Sequence, residues 1–116
     1  MSEAALELFD ILDAQKIKYY RQGSAPHKLP DHFYTFWEID QDPVVPMDDD
    51  YRATVSLFGI YYYDNDIKRL YTEPSKLVGA LEEAGWTISM LPHDFAADGL
   101  EYCRYFQVMR MKTRNT

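Results

Sequence analysis

Residues 51–64, YRATVSLFGIYYYD, decide the fold, because apolar and polar positions alternate there with the period of a long β-strand. Ala53, Val55, Leu57, Gly59, Tyr61 and Tyr63 share one face, and Arg52, Thr54 and Ser56 begin the other. That second face turns apolar at Phe58, Ile60 and Tyr62. The end of the strand therefore needs cover on both sides, from its own domain, from a partner, or from both. It leads straight into residues 64–86, DNDIKRLYTEPSKLVGALEEAGW, in which Ile67, Leu70, Tyr71, Pro74, Leu77, Leu81 and Ala84 form one apolar helical stripe. Proline within a helix removes an amide donor and crowds the preceding turn. The stripe thus predicts either a short turn at Asp66 to Tyr71 followed by a helix capped by Thr72, or one bent helix, ended in both cases by Gly85.

Outward from this unit, Ser2 is the expected cap of a first helix at about residues 3–14, with Ala5, Leu8, Phe9 and Leu12 on its apolar face. Gly23, Ser24, Pro26 and Pro30 predict an irregular connection over residues 17–30, with a short extended piece at Lys18 to Arg21. Residues 31–40, DHFYTFWEID, read as a strand with rings on both faces, and residues 41–50, QDPVVPMDDD, as a protruding loop. The loop is expected to be mobile in the free subunit. On the C-terminal side, Trp86 to Leu91 predicts a strand with Trp86, Ile88 and Met90 inward. A turn at Pro92 to Gly99 precedes a long final strand, Leu100 to Met111. The fold class expected is α+β: one domain over residues 1–116, in the order αββαββ, an antiparallel sheet with both helices on one face.

Composition narrows function by exclusion. A hydrophobic fraction of 47% and an aromatic fraction of 16% exclude a wholly disordered chain, and no apolar run approaches the about 20 residues that span a bilayer. The acidic start Met1-Ser2-Glu3 does not resemble a secretory signal, so synthesis in the cytoplasm is expected. A formal charge of -7 disfavours nucleic-acid and anionic-membrane binding. Glu38, Asp40, Asp42, Asp48, Asp49 and Asp50 crowd one region, whereas Arg104, Arg110, Lys112 and Arg114 lie near the C-terminus.

The residues that could carry chemistry do not assemble into a motif. His27, His32 and His93 lack metal-ligand spacing, and Asp48, Asp49 and Asp50 lack the glycine and the distal glutamate of an EF-hand loop. Cys103 falls mid-strand, the usual setting of a buried, unreactive thiol. Neither a nucleophile elbow nor a phosphate-binding glycine loop is present, so no enzyme, cofactor or metal is expected. Ten tyrosines are the distinguishing feature, and a ring with a polar tip suits surfaces that are buried on association.

The succession PHKLPDHFYTFWEID, DPVVPMDDD, YRATVSLFGIYYYD, LVGALEEAGW and RYFQVMRMK, between Ala25 and Lys112, resembles the tail terminator (tail completion, minor tail) proteins of long non-contractile-tailed phages and prophages. Pro74 in the second helix departs from the family pattern. The resemblance implies a structural virion protein at the head-proximal end of the tail. Such a protein forms a homo-hexameric ring that stops polymerisation of the tail tube protein and meets the head connector or head-closure protein. Genomic DNA would pass through the lumen without specific binding, and no membrane is involved.

Under this reading the acidic side, Asp42, Val44, Val45, Met47, Asp48, Asp49 and Asp50, meets Arg104, Arg110 and Lys112 of a neighbour, with Phe58, Ile60 and Tyr62 as the apolar part of the contact. Reversing Arg110 would then impair assembly and leave the subunit's melt unchanged. The alternatives are a head-closure or adaptor neck protein, or a small cytoplasmic ligand-binding module or enzyme with an aromatic pocket near Trp37, Tyr61 and Tyr63.

Overall fold

The computed structural model describes the backbone of residues 3–48, 51–95 and 102–115, with side chains described there except at 40–53 and 113–115. The alternating stretch is a strand over its whole length, β3 (Tyr51–Asp64), at the centre of a five-stranded sheet. In chain order the elements are α1 (Glu3–Gln15), β1 (Tyr19–Arg21), β2 (His32–Asp48), β3, α2 (Ile67–Glu83), β4 (Thr87–Asp94) and β5 (Cys103–Asn115). The spatial order of strands is β1-β2-β3-β5-β4. β2, β3, β5 and β4 run antiparallel to their neighbours, but β1 lies parallel to β2, with Tyr19 opposite Tyr34 and Arg21 opposite Phe36. The sheet is therefore mixed rather than purely antiparallel.

The expected loop at residues 41–50 is instead strand: β2 continues to Asp48, and Pro43 stands in register with Thr54. Proline is tolerated there because β1 flanks β2 only as far as Phe36, which leaves the rest of β2 at the sheet edge. Pro46 falls in the register shift between Val44 and Asp48, the other position in a sheet where a missing donor costs little.

α2 is one helix through Pro74, capped at Asp66 rather than Thr72: the Asp66 carboxylate accepts from the amides of Lys68 and Arg69 at 3.0 and 3.1 Å. The helix ends as its glycine predicts. Gly85 takes φ 95, and the Trp86 amide donates back to the Leu81 carbonyl at 2.9 Å, which turns the chain and sends the Trp86 ring into the core. β4 departs from simple alternation through shifts on either side of Met90, so Trp86 is buried while Met90 is 39% exposed.

Both helices pack on one face of the sheet. Leu8 and Leu12 of α1 and Leu77 and Leu81 of α2 meet Phe58, Ile60 and Tyr62 of β3 and Phe106 and Val108 of β5, all at 0% exposure. Phe58, Ile60 and Tyr62 are thus the centre of the core and not an uncovered contact surface. The two faces of β3 are both apolar near its end, and the helices took the face that the sequence reading had left for a partner.

The turn from β3 into α2 is built on a buried charge. The Asp64 side chain is fully buried and accepts from Arg69 through both Nε and Nη2, from the Tyr62 hydroxyl and from the Asp66 amide. Burial alone would push its carboxyl up. The Arg69 guanidinium, the Tyr62 hydroxyl and the Asp66 amide outweigh that and hold it below the usual carboxylate range. A depressed carboxyl contributes stability above its unfolded pKa, and that stability is lost as pH falls through the acid range. Asp64→Asn should therefore lower unfolding free energy at pH 7 by about 3 kcal/mol, with the difference from wild type shrinking towards pH 3. Urea titrations at the two pH values measure this, and an equal difference at both would contradict the buried-charge account.

Candidate functional site

The helices leave the other face of the sheet without cover from α1 or α2, and side chains of alternating parity collect there. β2 supplies Phe33, Thr35 and Trp37, β3 supplies Tyr61 and Tyr63, and β5 supplies Cys103, Tyr105 and Gln107. Their rings form a continuous row. Phe33 stacks on Tyr63 at 4.8 Å between centroids, Tyr63 on Tyr61 at 6.3 Å, and Tyr61 packs on Tyr105 at 4.6 Å. Phe95 meets Tyr61 edge-on at 5.3 Å and is 38% exposed.

Gly59 makes this arrangement possible: a Cβ there would stand 2.6 Å from Trp37 Nε1 and 2.9 Å from the Tyr105 hydroxyl, so only glycine lets both side chains cross the centre of the sheet. Trp37 lies over that gap and is 43% exposed. The polar tips are partly internally satisfied, as Gln107 Nε2 donates to the Tyr105 hydroxyl at 2.7 Å and the Thr35 hydroxyl donates to Gln22 Oε1 at 2.9 Å. None of these side chains is charged.

Cys103 belongs to this face but is buried among Phe33 and Tyr63, and burial pushes its thiol up to about 12 against hydrogen bonds that act the other way. It stays a neutral thiol in the physiological range, a packing group and not a nucleophile. His32 Nδ1 lies 3.1 Å from the Tyr62 hydroxyl at the edge of the Asp64 network. Among the described residues no group of three or more His, Cys, Asp or Glu side chains could hold a metal ion.

Three basic residues of β5, Arg104, Arg110 and Lys112, are engaged within the subunit. Even-numbered positions of β5 share the helix-covered face with Phe58, Ile60 and Tyr62, so Arg104, Arg110 and Lys112 find partners inside the subunit. Arg104 lies 4.3 Å over the Tyr71 ring and donates to Asp94 and to the Pro92 carbonyl at 3.0 and 2.7 Å. Arg110 donates to the Gly85 carbonyl at 2.7 Å and stands 3.2 Å from Glu7, which Lys112 also engages. Burial would raise the Glu7 carboxyl, but Lys112, Trp86 and Arg110 together lower it.

On the acidic side, the backbones of Asp42, Val44, Val45, Met47 and Asp48 lie in β2, their side chains lie outside the described set, and Asp49 and Asp50 lie wholly outside the described residues. Trp37, Tyr61 and Tyr63 do not enclose one pocket. The cavity of about 480 Å³ that Trp37 borders is otherwise lined by Ala5, Phe9, Arg21, Phe36, Glu38 and Phe58.

What the sequence reading missed is Glu7 as the anion that engages Arg110 and Lys112, and Tyr105 as the ring facing Tyr61. The parity of β5 carried the second signal, since Cys103, Tyr105 and Gln107 alternate with the apolar Phe106 and Val108. Nothing local marked the first, because Glu7 is 79 positions from Trp86, whose Nε1 donates to it at 2.8 Å.

The fold and this face define a class: a small α+β protein whose sheet is covered by helices on one side and carries an uncharged aromatic row on the other. No protein-family model matches the chain, and no curated protein matches it.

Reversing Arg110 to glutamate should now destabilise the isolated subunit, because it removes the bond to Gly85 and sets a second carboxylate beside Glu7. The expected loss is about 1–3 kcal/mol, seen as a lowered melting temperature. An unchanged melt would return Arg110 to a role at the surface.

Proposed function

We propose that the protein is a structural component of a phage tail: a tail terminator whose copies form a hexameric ring on the end of the tail tube. There it stops polymerisation of the tube protein and meets the head connector or head-closure protein. The observation that carries this reading is the sheet itself. One face is sealed by α1 and α2, and the other is an uncharged row of rings with Trp37 and Phe95 well exposed, suited to burial against protein. The element order that resembles the family supports it, as does the extension of β2, β3 and β5 past the other elements. β1 stops opposite Phe36 and β4 opposite Met109, while the three longer strands run on to the row of Asp48, Tyr51 and Asn115.

In this reading the protein performs no catalysis. Its subunit contacts use Trp37, Tyr61 and Tyr105 in place of Phe58, Ile60 and Tyr62. A net charge of -7 suits a lumen through which DNA slides without adhering.

Purified protein added to polymerising tube subunits of the phage that encodes it should shorten the tubes and appear as a ring at one end in negative stain. Tyr61→Ser together with Tyr105→Ser should remove that effect while the subunit still folds cooperatively. A tube-length distribution indifferent to the wild-type protein would sink the reading.

A further inference from the structure

The end of β1 leaves a step in the sheet. β1 runs beside β2 only as far as the pair Arg21 and Phe36, and the chain then turns away, with the Ser24 amide and hydroxyl donating to the Arg21 carbonyl at 2.9 and 2.7 Å. Over the step, the first turn of α1 presents the small, buried Ala4 and Ala5. Among the described residues neither a strand nor a long side chain fills the space, and a cavity of about 480 Å³ lies there. Ala5, Phe9, Phe36 and Phe58 are its apolar wall, and Trp37 borders it. The wall is held in place by the subunit's own packing: Phe9 meets Phe36 edge-on at 5.1 Å and stacks with Tyr19 at 5.9 Å, and Phe36 and Phe58 belong to the core.

Two exposed residues of opposite charge complete the lining, Arg21 and Glu38. Register fixes where they stand. Arg21 is level with Phe36, whereas Glu38 lies two residues further along β2, opposite Phe58 and directly before a register shift. About 7 Å along the strand and about 5 Å between strands separate their backbones, a gap that the two side chains reach across towards one small head group. Arg21 forms no ion pair among the described residues, in contrast to Arg104 and Arg110. An apolar wall with a few polar groups that set orientation is the usual make-up of a small-molecule site, and about 480 Å³ is within the usual size.

The charges select among apolar ligands. A guanidinium binds a carboxylate through two parallel hydrogen bonds, so Arg21 favours an anionic head. Glu38 repels that head, but it attracts an ammonium, which the neighbouring ring faces also favour. A molecule with either charge alone meets one like charge at the cavity. A molecule with both meets two complements.

We propose that this cavity binds an α-amino acid with an apolar side chain, in its zwitterionic form. The α-carboxylate pairs with Arg21, the α-ammonium faces Glu38, and the side chain lies against Phe9, Phe36 and Phe58. Tyr61 and Tyr105, on the opposite face of the sheet, take no part, so the site stands independently of the ring reading.

Titration of ¹⁵N-labelled full-length protein with L-phenylalanine, followed by NMR, tests the site. Saturating shifts are expected at the amides of Ala5, Phe9, Arg21 and Glu38. Glycine keeps both charges without an apolar side chain, phenethylamine lacks the carboxylate, and hydrocinnamate lacks the ammonium; each should bind about tenfold more weakly. Shifts that stay linear with phenylalanine, or an equal affinity for any of the three analogues, would overturn the site. Arg21→Gln should lower the affinity for phenylalanine to that for phenethylamine and leave phenethylamine binding as in wild type. Glu38→Gln should do the same with hydrocinnamate. Variants that still discriminate as wild type does also overturn it, and the analogue series on wild type needs no variant to fold.

Discussion

The buried carboxylate of Asp64 is the constraint on which the arrangement depends. A charge with no solvent access must be met on every side, and here Arg69, Tyr62 and the Asp66 amide do so from three directions. Arg69 lies in the first turn of α2, and Asp66 caps that helix with the carboxylate that is not used by Arg69's side chain. Satisfying Asp64 therefore fixes where α2 begins and the direction in which it leaves β3. Tyr62, held by the same carboxylate, is turned to the face on which α2 then packs. One end of one strand thus chooses which side of the sheet is the inside.

That choice propagates by parity. Antiparallel register places Ile60 opposite Phe106 and Phe58 opposite Val108, so the even positions of β5 become interior with those of β3. Arg104, Arg110 and Lys112 inherit this face and must find anions at its rim. Glu7 on α1 serves two of them and also receives the Trp86 indole, which ties α1, the end of α2 and β5 together at a single carboxylate. Odd positions inherit the outside, and their lack of charge is what makes that face an aromatic row.

The local signals were legible because they are local. The bounds of β3, the first helix, Gly85 as a helix end and the strand after Trp86 follow from alternation, stripe and punctuation that lie within a dozen residues of one another. The inward face of β3 was not legible, since Leu57, Tyr61 and Tyr63 on one side and Phe58, Ile60 and Tyr62 on the other are similarly apolar. The deciding interactions come from Arg69 and from α1, far along the chain or outside the strand. The extent of β2 is not legible for a different reason: prolines usually break a ladder, but Pro43 and Pro46 occupy an edge and a register shift, the places in a sheet that do without a donor. Pro74 is likewise absorbed, packed as a fully buried residue in the apolar stripe of α2.

Charge segregation in the sequence and charge availability in the fold are different quantities, and the difference changes how association is to be understood. Four cations near the C-terminus look like half of an interface until the register shows that three of them already neutralise or cap groups of their own subunit. Lys16 and Lys18, exposed beside β1, are by contrast without an ion pair among the described residues, and they border a groove lined also by Ile17, Tyr19 and Tyr20. Exposed ion pairs contribute little net affinity but impose orientation, whereas burial of aromatic rings contributes affinity and tolerates several orientations. A sheet that places uncharged rings on one face and cations at the rim of the other keeps these roles on different residues of the same subunit.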